Sequence, residues 1–210
     1  MKRKLLGRFN ETPEMINCGL TIDILKRAIE HTHIIIDEID KKLLSLGADR
    51  LSQTVELANL SSMIGNILGA GVVSNSNNIY KRNKPHKYPD VLSNHPTSSD
   101  IEIKIALETN NPKGHLAKEG YYLICRYVLI DENFKFNKDT RGNIAEIWEA
   151  RFGFLKTEHF NISNTSGDSG KTAVVNKNGM EQLKVIYANT NICPYSQNSA
   201  TFKKLYSKFL

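Results

Sequence analysis

The sequence predicts an α/β or α+β fold in which a mixed β-sheet is flanked by helices and preceded by a helical segment. Apolar residues recur at helical spacing in residues 1–70, apolar runs typical of strands dominate residues 71–163, and helical spacing returns within residues 164–210. The chain has 210 residues, of which 40% are hydrophobic, enough for the core of one domain. We therefore expect residues 1–210 to form a single domain with these three parts.

Two helices are predicted in the first part. One covers residues 21–46, where apolar residues fall close to helical spacing until Gly47, and the other covers residues 51–68, followed by Gly69 and Gly71. The apolar stripes consist of Ile22, Ile24, Leu25, Ala28, Ile29, Ile35, Ile36, Ile39 and Leu43 in the first helix and of Leu51, Val55, Leu57, Leu60, Met63, Ile64, Ile67 and Leu68 in the second.

Four strands are predicted in the second part. They are PDVLSN (89–94), DIEIKIAL (100–107), YYLICRYVLI (121–130) and IWEARFGFLKTEHFNIS (147–163), the last as one long or bent strand. Strict alternation in 100–107 sends four aliphatic side chains to one face and predicts that this face lies against a core. The nearly continuous apolar run of 121–130 is typical of a strand buried on both faces.

The loop at 74–88 leaves room for one more short strand. After 147–163 we expect a polar loop at 164–171 and the short strand TAVV, and then helices near 179–188 and 199–209.

Charge and cysteine usage narrow the class of protein. The net charge is +6, and basic clusters lie beside turn-forming residues at 81–87, 111–118, 171–178 and 202–208, as expected where several loops meet a phosphate backbone. A merely soluble basic surface explains the net charge equally well. The three cysteines are widely spaced, which indicates reduced thiols in a cytosol and excludes a disulfide framework or a C-x-x-C zinc site. We expect no signal peptide and no membrane span.

Three charged residues share one face of the strand at 100–107. Asp100, Glu102 and Lys104 alternate with the aliphatic residues, and an ordinary solvated strand face explains them. That explanation leaves out Asp90, which opens the preceding strand directly after Pro89. If the two strands are neighbours, Asp90 and Glu102 lie close enough to share a divalent cation, and oxygen ligands with room for water suit Mg²⁺. Lys104 could then orient a water molecule and neutralise developing negative charge.

Pro89-Asp90, eleven residues, and then Glu102-Ile103-Lys104 resembles the signature of the PD-(D/E)xK nucleases, best known from type II restriction endonucleases. The resemblance implies a restriction-endonuclease-like sheet, Mg²⁺ bound by Asp90, Glu102 and the carbonyl of Ile103, and a water-orienting role for Lys104. It also implies a glutamate from a preceding helix, for which Glu56 has the matching position. Asp100 ranks behind Glu102 as a ligand.

One feature departs from that family. Members usually have a substantial helix after the E-x-K strand, whereas Pro112, Gly114 and Gly120 leave room here for little more than one helical turn. Either the helix is reduced or a loop crosses at this point and contacts DNA. In the family, contacts to DNA commonly come from loops after the core, and the candidates in this chain are Lys113, His115, Ser169, Lys171, Thr172 and Lys177.

The resulting expectation is a Mg²⁺-dependent type II restriction endonuclease that cleaves double-stranded DNA in the cytoplasm of a prokaryote and works as a homodimer. The helix at 21–46 is the candidate dimer surface, although core packing explains its apolar stripe equally well. Two alternatives stay open. One is a repair or recombination nuclease of the same fold, and the other is a DNA-binding protein without catalytic activity.

Overall fold

The computed structural model describes residues 3–163 and 172–210, and its centre is a seven-stranded mixed sheet. The strands of this sheet are β1 (Arg8–Phe9), β2 (Tyr80–Arg82), β3 (Val91–Ser93), β4 (Ile101–Leu107), β6 (Gly120–Ile130), β7 (Ile144–Leu155) and β10 (Lys184–Ala188), in the spatial order β1-β10-β7-β6-β4-β3-β2. The strands β4 and β6 are parallel, and each other neighbouring pair is antiparallel. Together with the flanking helices this confirms the expected fold class.

The N-terminal helices cover one face of this sheet. They are α1 (Pro13–Cys18), α2 (Ile22–Ser45), α3 (Leu51–Thr54) and α4 (Leu57–Ser74). The side chain of Thr21 accepts a hydrogen bond from the N–H of Ile24 (3.2 Å) and so caps the start of α2. The apolar stripe of α2 is buried against α4 and β7, so the structure uses it for core packing.

The second predicted helix is interrupted. Residues 51–68 belong to α3 and α4, with Val55 in an extended conformation between them and Glu56 at the N-cap position of α4. The helix α4 continues to Ser74 because Gly69 and Gly71 serve close packing instead of ending it. A side-chain Cβ at Gly71 would lie 3.0 Å from the backbone of Ala28 on α2.

By length and composition alone, α4 is apolar enough to cross a membrane, although no membrane span was expected from the sequence. In the structure it packs against α2 and β4, and 33% of its 18 residues are buried. Its buried side chains include Leu60, Ile64 and Leu68.

The other face of the central sheet carries a second, three-stranded sheet and the C-terminal helices. The small sheet consists of β5 (Lys113–Gly114), β9 (Thr172–Val175) and β8 (Phe160–Ser163), in that order. The helices are α5 (Lys177–Gln182) and α6 (Ala200–Leu205). The connection from β4 to β6 passes through β5, and within it the structure has no helix, as the glycines and the proline indicated.

Two sequence predictions were wrong at this face. The run at 147–163 is not one strand, because β7 ends at Leu155 and a 3-10 turn at Thr157–His159 leads into β8 of the other sheet. The helix at 179–188 is in fact α5 followed by β10, which pairs with both β7 and β1. Val185, Ile186 and Tyr187 have high strand propensity, and pairing on both sides favours the strand.

Candidate active site

The antiparallel pairing of β3 with β4 ends at the pair Val91–Ile101 and does not extend back to Pro89 and Asp90. Val91 lies opposite Ile101, and continuing this register would place Pro89 opposite Ile103. Pro89 has no N–H to donate, and its carbonyl oxygen instead accepts a hydrogen bond from the side chain of Asn83 (2.8 Å). The sequence therefore opens the sheet at Ile103.

The side chain of Asp90 takes the place of the missing strand partner. Its Oδ2 accepts a hydrogen bond from the N–H of Ile103 (2.9 Å), while Oε2 of Glu102 accepts one from the N–H of Asp90 (3.1 Å). Each carboxylate is thus bound to the backbone beside the other. The strand alternation that places Ile103 in the core sends Glu102 to the opposite face, where Asp90 also lies.

Lys104 completes this group. Its Nζ forms an ion pair with Oε1 of Glu102, and its side chain is 25% exposed, against 10% for Glu102. The structure therefore brings Asp90, Glu102 and Lys104 together at the gap between β3 and β4, as the sequence predicted. We call these three side chains, with the backbone of Ile103, the Asp90 cluster.

Burial raises the pKa of the Glu102 carboxyl above its usual range, and the charge and hydrogen bond of Lys104 act in the opposite direction. The neighbouring Asp90 charge raises that pKa further. A partly desolvated carboxylate beside a second acid gains stability when a cation binds, because the cation offsets both the repulsion and the lost hydration.

The donor set of the cluster fits Mg²⁺. Oδ1 of Asp90 makes no hydrogen bond to any residue that the structure describes. In a strand, the N–H and C=O of one residue point to the same side, so the carbonyl of Ile103 points toward the gap as its N–H does. Two carboxylates and one carbonyl are hard oxygen ligands that leave positions for water or phosphate, as Mg²⁺ prefers.

Within residues 3–163 and 172–210, no three His, Cys, Asp or Glu side chains lie together in a way that could hold a metal ion. A metal in the Asp90 cluster would therefore rely on two carboxylates and the backbone.

Glu56 is not part of the cluster. Gly69 of α4 lies against the side chain of Ile103, whereas Glu56 precedes the first turn of that helix. Thirteen residues at 1.5 Å each place Glu56 about 20 Å farther along the helix axis. Glu56 is also exposed, as a solvated residue at a helix start would be. Asp100 is engaged elsewhere, because its Oδ1 accepts a hydrogen bond from the N–H of Ser93 (2.7 Å).

The residues expected to contact DNA fall in different places. Gly114 lies against Lys104, since a Cβ at Gly114 would be 3.2 Å from Cε of Lys104, so β5 borders the cluster. Alternation along β5 directs Lys113 away from Lys104, and His115 follows it at an exposed position.

Thr172 begins β9, next to the strand residue that pairs with Gly114, and Lys177 is exposed at the start of α5, beyond the far end of β9. The remaining two candidates, Ser169 and Lys171, lie outside the described residues.

Three residues beside the cluster were not predicted from the sequence as part of the site. Tyr122 on β6 is directly opposite Glu102 in the parallel register, and Tyr88 immediately precedes Pro89-Asp90. Lys118 places its Nζ 4.4 Å from the centroid of the Tyr88 ring. The basic cluster at 111–118 was a signal for Lys118, and no sequence pattern pointed to its contact with Tyr88.

A second charged group lies farther along the same face of the sheet. Glu149 accepts hydrogen bonds from Nε of Arg151 (2.6 Å), the hydroxyl of Tyr206 (2.6 Å) and a terminal nitrogen of Arg126 (3.1 Å). Arg126 also reaches the carbonyl of Asn110 (3.1 Å). We call Arg126, Glu149, Arg151 and Tyr206 the Glu149 cluster; each of them is at most 3% exposed.

Comparison with known proteins adds no family. No protein-family model, no curated protein and no solved structure matches this chain.

Proposed function

We propose that this chain is a Mg²⁺-dependent endonuclease that hydrolyses phosphodiester bonds of double-stranded DNA, as a sequence-specific type II restriction enzyme of the PD-(D/E)xK class. The observation that carries the proposal is the meeting of Asp90, Glu102 and Lys104 where the sheet opens at Ile103. These residues are the ones that the resemblance marks, and Oδ1 of Asp90 at this opening hydrogen-bonds to no residue in the described part of the chain.

The roles of the side chains follow from their positions. Asp90, Glu102 and the Ile103 carbonyl would hold the metal ion. When bound, Mg²⁺ supplies positive charge to the phosphate oxygens and lowers the pKa of a bound water. The side chain of Lys104 is more exposed than that of Glu102. Its ammonium group would hydrogen-bond the attacking water and stabilise the negative charge that develops on the phosphate.

Basic residues on two sides of the cluster support a nucleic-acid substrate. The loop at 83–87 is tied to the site through the N–H of Asn83, which donates to the carbonyl of Asp90 (3.1 Å), and this loop exposes Lys84 and Lys87. Lys113 and Lys118 lie on the connection that borders the other side. Such an arrangement attracts a polyanion to the acids that would cleave it.

The proposal includes a homodimer in a prokaryotic cytoplasm, since a two-fold axis would bring one cluster to each DNA strand. The apolar stripe of α2 is buried within the chain, so a dimer would use another surface.

Digestion of a plasmid of known sequence tests the proposal. With Mg²⁺ we expect discrete fragments, none after chelation of the metal with EDTA, and none from Lys104→Ala protein. Heterogeneous fragments that depend on Mg²⁺ would favour a repair or recombination nuclease of the same fold. If the protein retards the DNA in a gel but never cuts it at any Mg²⁺ concentration, the enzyme assignment fails and a non-catalytic DNA-binding protein remains.

A further inference from the structure

Lys118 is held in place by two tyrosines at the edge of the Asp90 cluster. Its Nζ lies over the face of the Tyr88 ring, 4.4 Å from the centroid. Its backbone carbonyl accepts a hydrogen bond from the hydroxyl of Tyr122 (2.7 Å), the residue opposite Glu102 in the sheet. An ammonium group over an aromatic ring is attracted by the negative face of the ring and keeps its charge.

The Tyr88 ring is itself fixed. Its hydroxyl donates to the backbone carbonyl of Glu119 (2.8 Å), and any Cβ at Gly120 would lie 2.4 Å from that hydroxyl oxygen. Tyr88 therefore connects the chain just before Asp90 with the connection that carries Lys118. Tyr88 contacts both the ammonium group of Lys118 and the backbone of the neighbouring Glu119, so the position of Lys118 is coupled to that of Asp90.

The two lysines of this region differ in their charge partners. Lys104 is neutralised in part by its ion pair with Glu102. Lys118 forms no ion pair with any residue in the described part of the chain, and its contact is with a neutral ring.

Resting on the proposed function, we propose that Lys118 binds a phosphate of the DNA backbone beside the one that is cleaved, and that Tyr88 positions Lys118 for this contact. An ammonium group that is oriented but not neutralised gains an anionic partner when DNA arrives. The phosphate contact draws the DNA backbone toward the gap that holds Asp90 and Glu102. Tyr88 is a positioning residue in this arrangement, because it acts through Lys118.

Binding of a fluorescent DNA duplex in Ca²⁺ over a series of salt concentrations tests the assignment. Each lysine–phosphate contact contributes about 0.9 to the slope of log K against log salt. We expect Lys118→Met to make this slope shallower by about 0.9 and to weaken binding several-fold at low salt, and Lys118→Arg to keep the wild-type slope. Tyr88→Leu should weaken binding less than Lys118→Met does and give a slope between those of Lys118→Met and wild-type protein, since the charge remains but is no longer held at the phosphate.

Lys41→Met is the matched control, because Lys41 is exposed on α2, on the opposite face of the sheet, and we expect it to leave the slope unchanged. If Lys118→Met gives the same slope as Lys41→Met while wild-type protein binds and cleaves DNA, the role of Lys118 is refuted and the proposed function stands. Wild-type protein that binds no duplex at any salt concentration would overturn both proposals.

Discussion

The Asp90 and Glu149 clusters lie on the same face of the same sheet, yet they use charge in opposite ways. Both oxygens of Glu149 are occupied by arginines or by the Tyr206 hydroxyl, and Glu149 is 0% exposed. In the Asp90 cluster the sheet has opened, one acid keeps an oxygen that bonds to no described residue, and Lys104 is partly exposed. A closed network stabilises a fold, whereas an open one can bind a ligand.

The difference begins with the sequence near each cluster. Arg126 and Glu149 face each other on the long antiparallel pair of β6 and β7, which continues in both directions around them, with one bulge directly after Arg126. Asp90 follows Pro89, which ends the pairing of β3 with β4. The Asp90 cluster, which we also call the open cluster, therefore forms where strand pairing stops. The Glu149 cluster, which we also call the closed cluster, forms where strand pairing continues.

If the two clusters differ in this way, the largest expected effect is the loss of DNA cleavage when Lys104 or Asp90 of the open cluster is substituted. Lys104→Ala removes the group that would orient water. Asp90→Asn removes the charge of a proposed metal ligand but keeps an oxygen that can accept from the Ile103 N–H. We expect each to lower the cleavage rate by about 10²- to 10³-fold, in line with the loss of one such catalytic group.

Urea unfolding of both variants provides the control. The Asp90→Asn midpoint should stay near that of wild-type protein, because the amide oxygen can still accept from the N–H of Ile103. Lys104→Ala removes the ion-pair partner of the buried Glu102 carboxylate, so its midpoint should fall somewhat, and cleavage is measured where both variants are folded. Cleavage by Lys104→Ala at the wild-type rate would show that the open cluster is not catalytic.

The closed cluster should respond in stability. Glu149→Ala leaves Arg126 and Arg151 buried without a carboxylate, and breaking such a pair costs about 3–5 kcal/mol of unfolding free energy. Glu132→Ala is the matched control, since the side chain of Glu132 is 78% exposed and its loss should change stability by less than about 0.5 kcal/mol. Urea unfolding with circular dichroism measures both. Equal midpoints for the two variants would contradict the structural role of the Glu149 cluster.

A third, smaller effect concerns the pH dependence of metal binding at the open cluster. Burial and the neighbouring Asp90 charge raise the pKa of the Glu102 carboxyl, so Glu102 takes up a proton at a higher pH than an ordinary glutamate. Only the carboxylate form binds Mg²⁺, so acidification through this raised pKa should weaken Mg²⁺ binding by up to about tenfold per pH unit below it.

Titration calorimetry of Mg²⁺ binding at several pH values measures this dependence, with Glu102→Gln as the comparison. The variant should bind Mg²⁺ more weakly than wild-type protein above the Glu102 pKa and should show a flatter dependence on pH. The ordinary pKa of a glutamate side chain is about 4.3. If the wild-type affinity for Mg²⁺ does not change as the pH falls from 8 to about 4.5, Mg²⁺ binding is not linked to a raised pKa of Glu102.

Asp90, Glu102 and Lys104 could be predicted from the sequence as one site because they lie close together along the chain. Alternation in β4 fixes which face carries Glu102 and Lys104, and Pro89 marks where the neighbouring strand ends. The contact between Lys118 and Tyr88 was not predictable, because it depends on the path of the connection from β4 to β6. That path is set by the pairing of β5 with β9, which lies far away in sequence.

The wrong predictions of secondary structure have a similar cause. A short apolar run such as Val185–Tyr187 fits a helix or a strand by its periodicity alone, and pairing with β7 decides for the strand. Likewise, the apolar pattern around Glu56 predicts which face of the helix is buried. It does not predict which end of the helix lies near Ile103, where the sheet opens. The structure places the glycine-rich end there, with Gly69 against Ile103.

The smallest expected effect follows from that orientation. Glu56→Ala should leave the cleavage rate and the Mg²⁺ affinity unchanged, because about 20 Å of helix separates Glu56 from the part of α4 that contacts Ile103. Its side chain makes no capping hydrogen bond to α4. The unfolding free energy should therefore change by less than about 0.5 kcal/mol. A plasmid cleavage assay beside Lys104→Ala gives the measurement. A loss of cleavage by Glu56→Ala comparable to that of Lys104→Ala would mean that α4 delivers its first turn to the site, and the open cluster would then extend beyond the three side chains that define it.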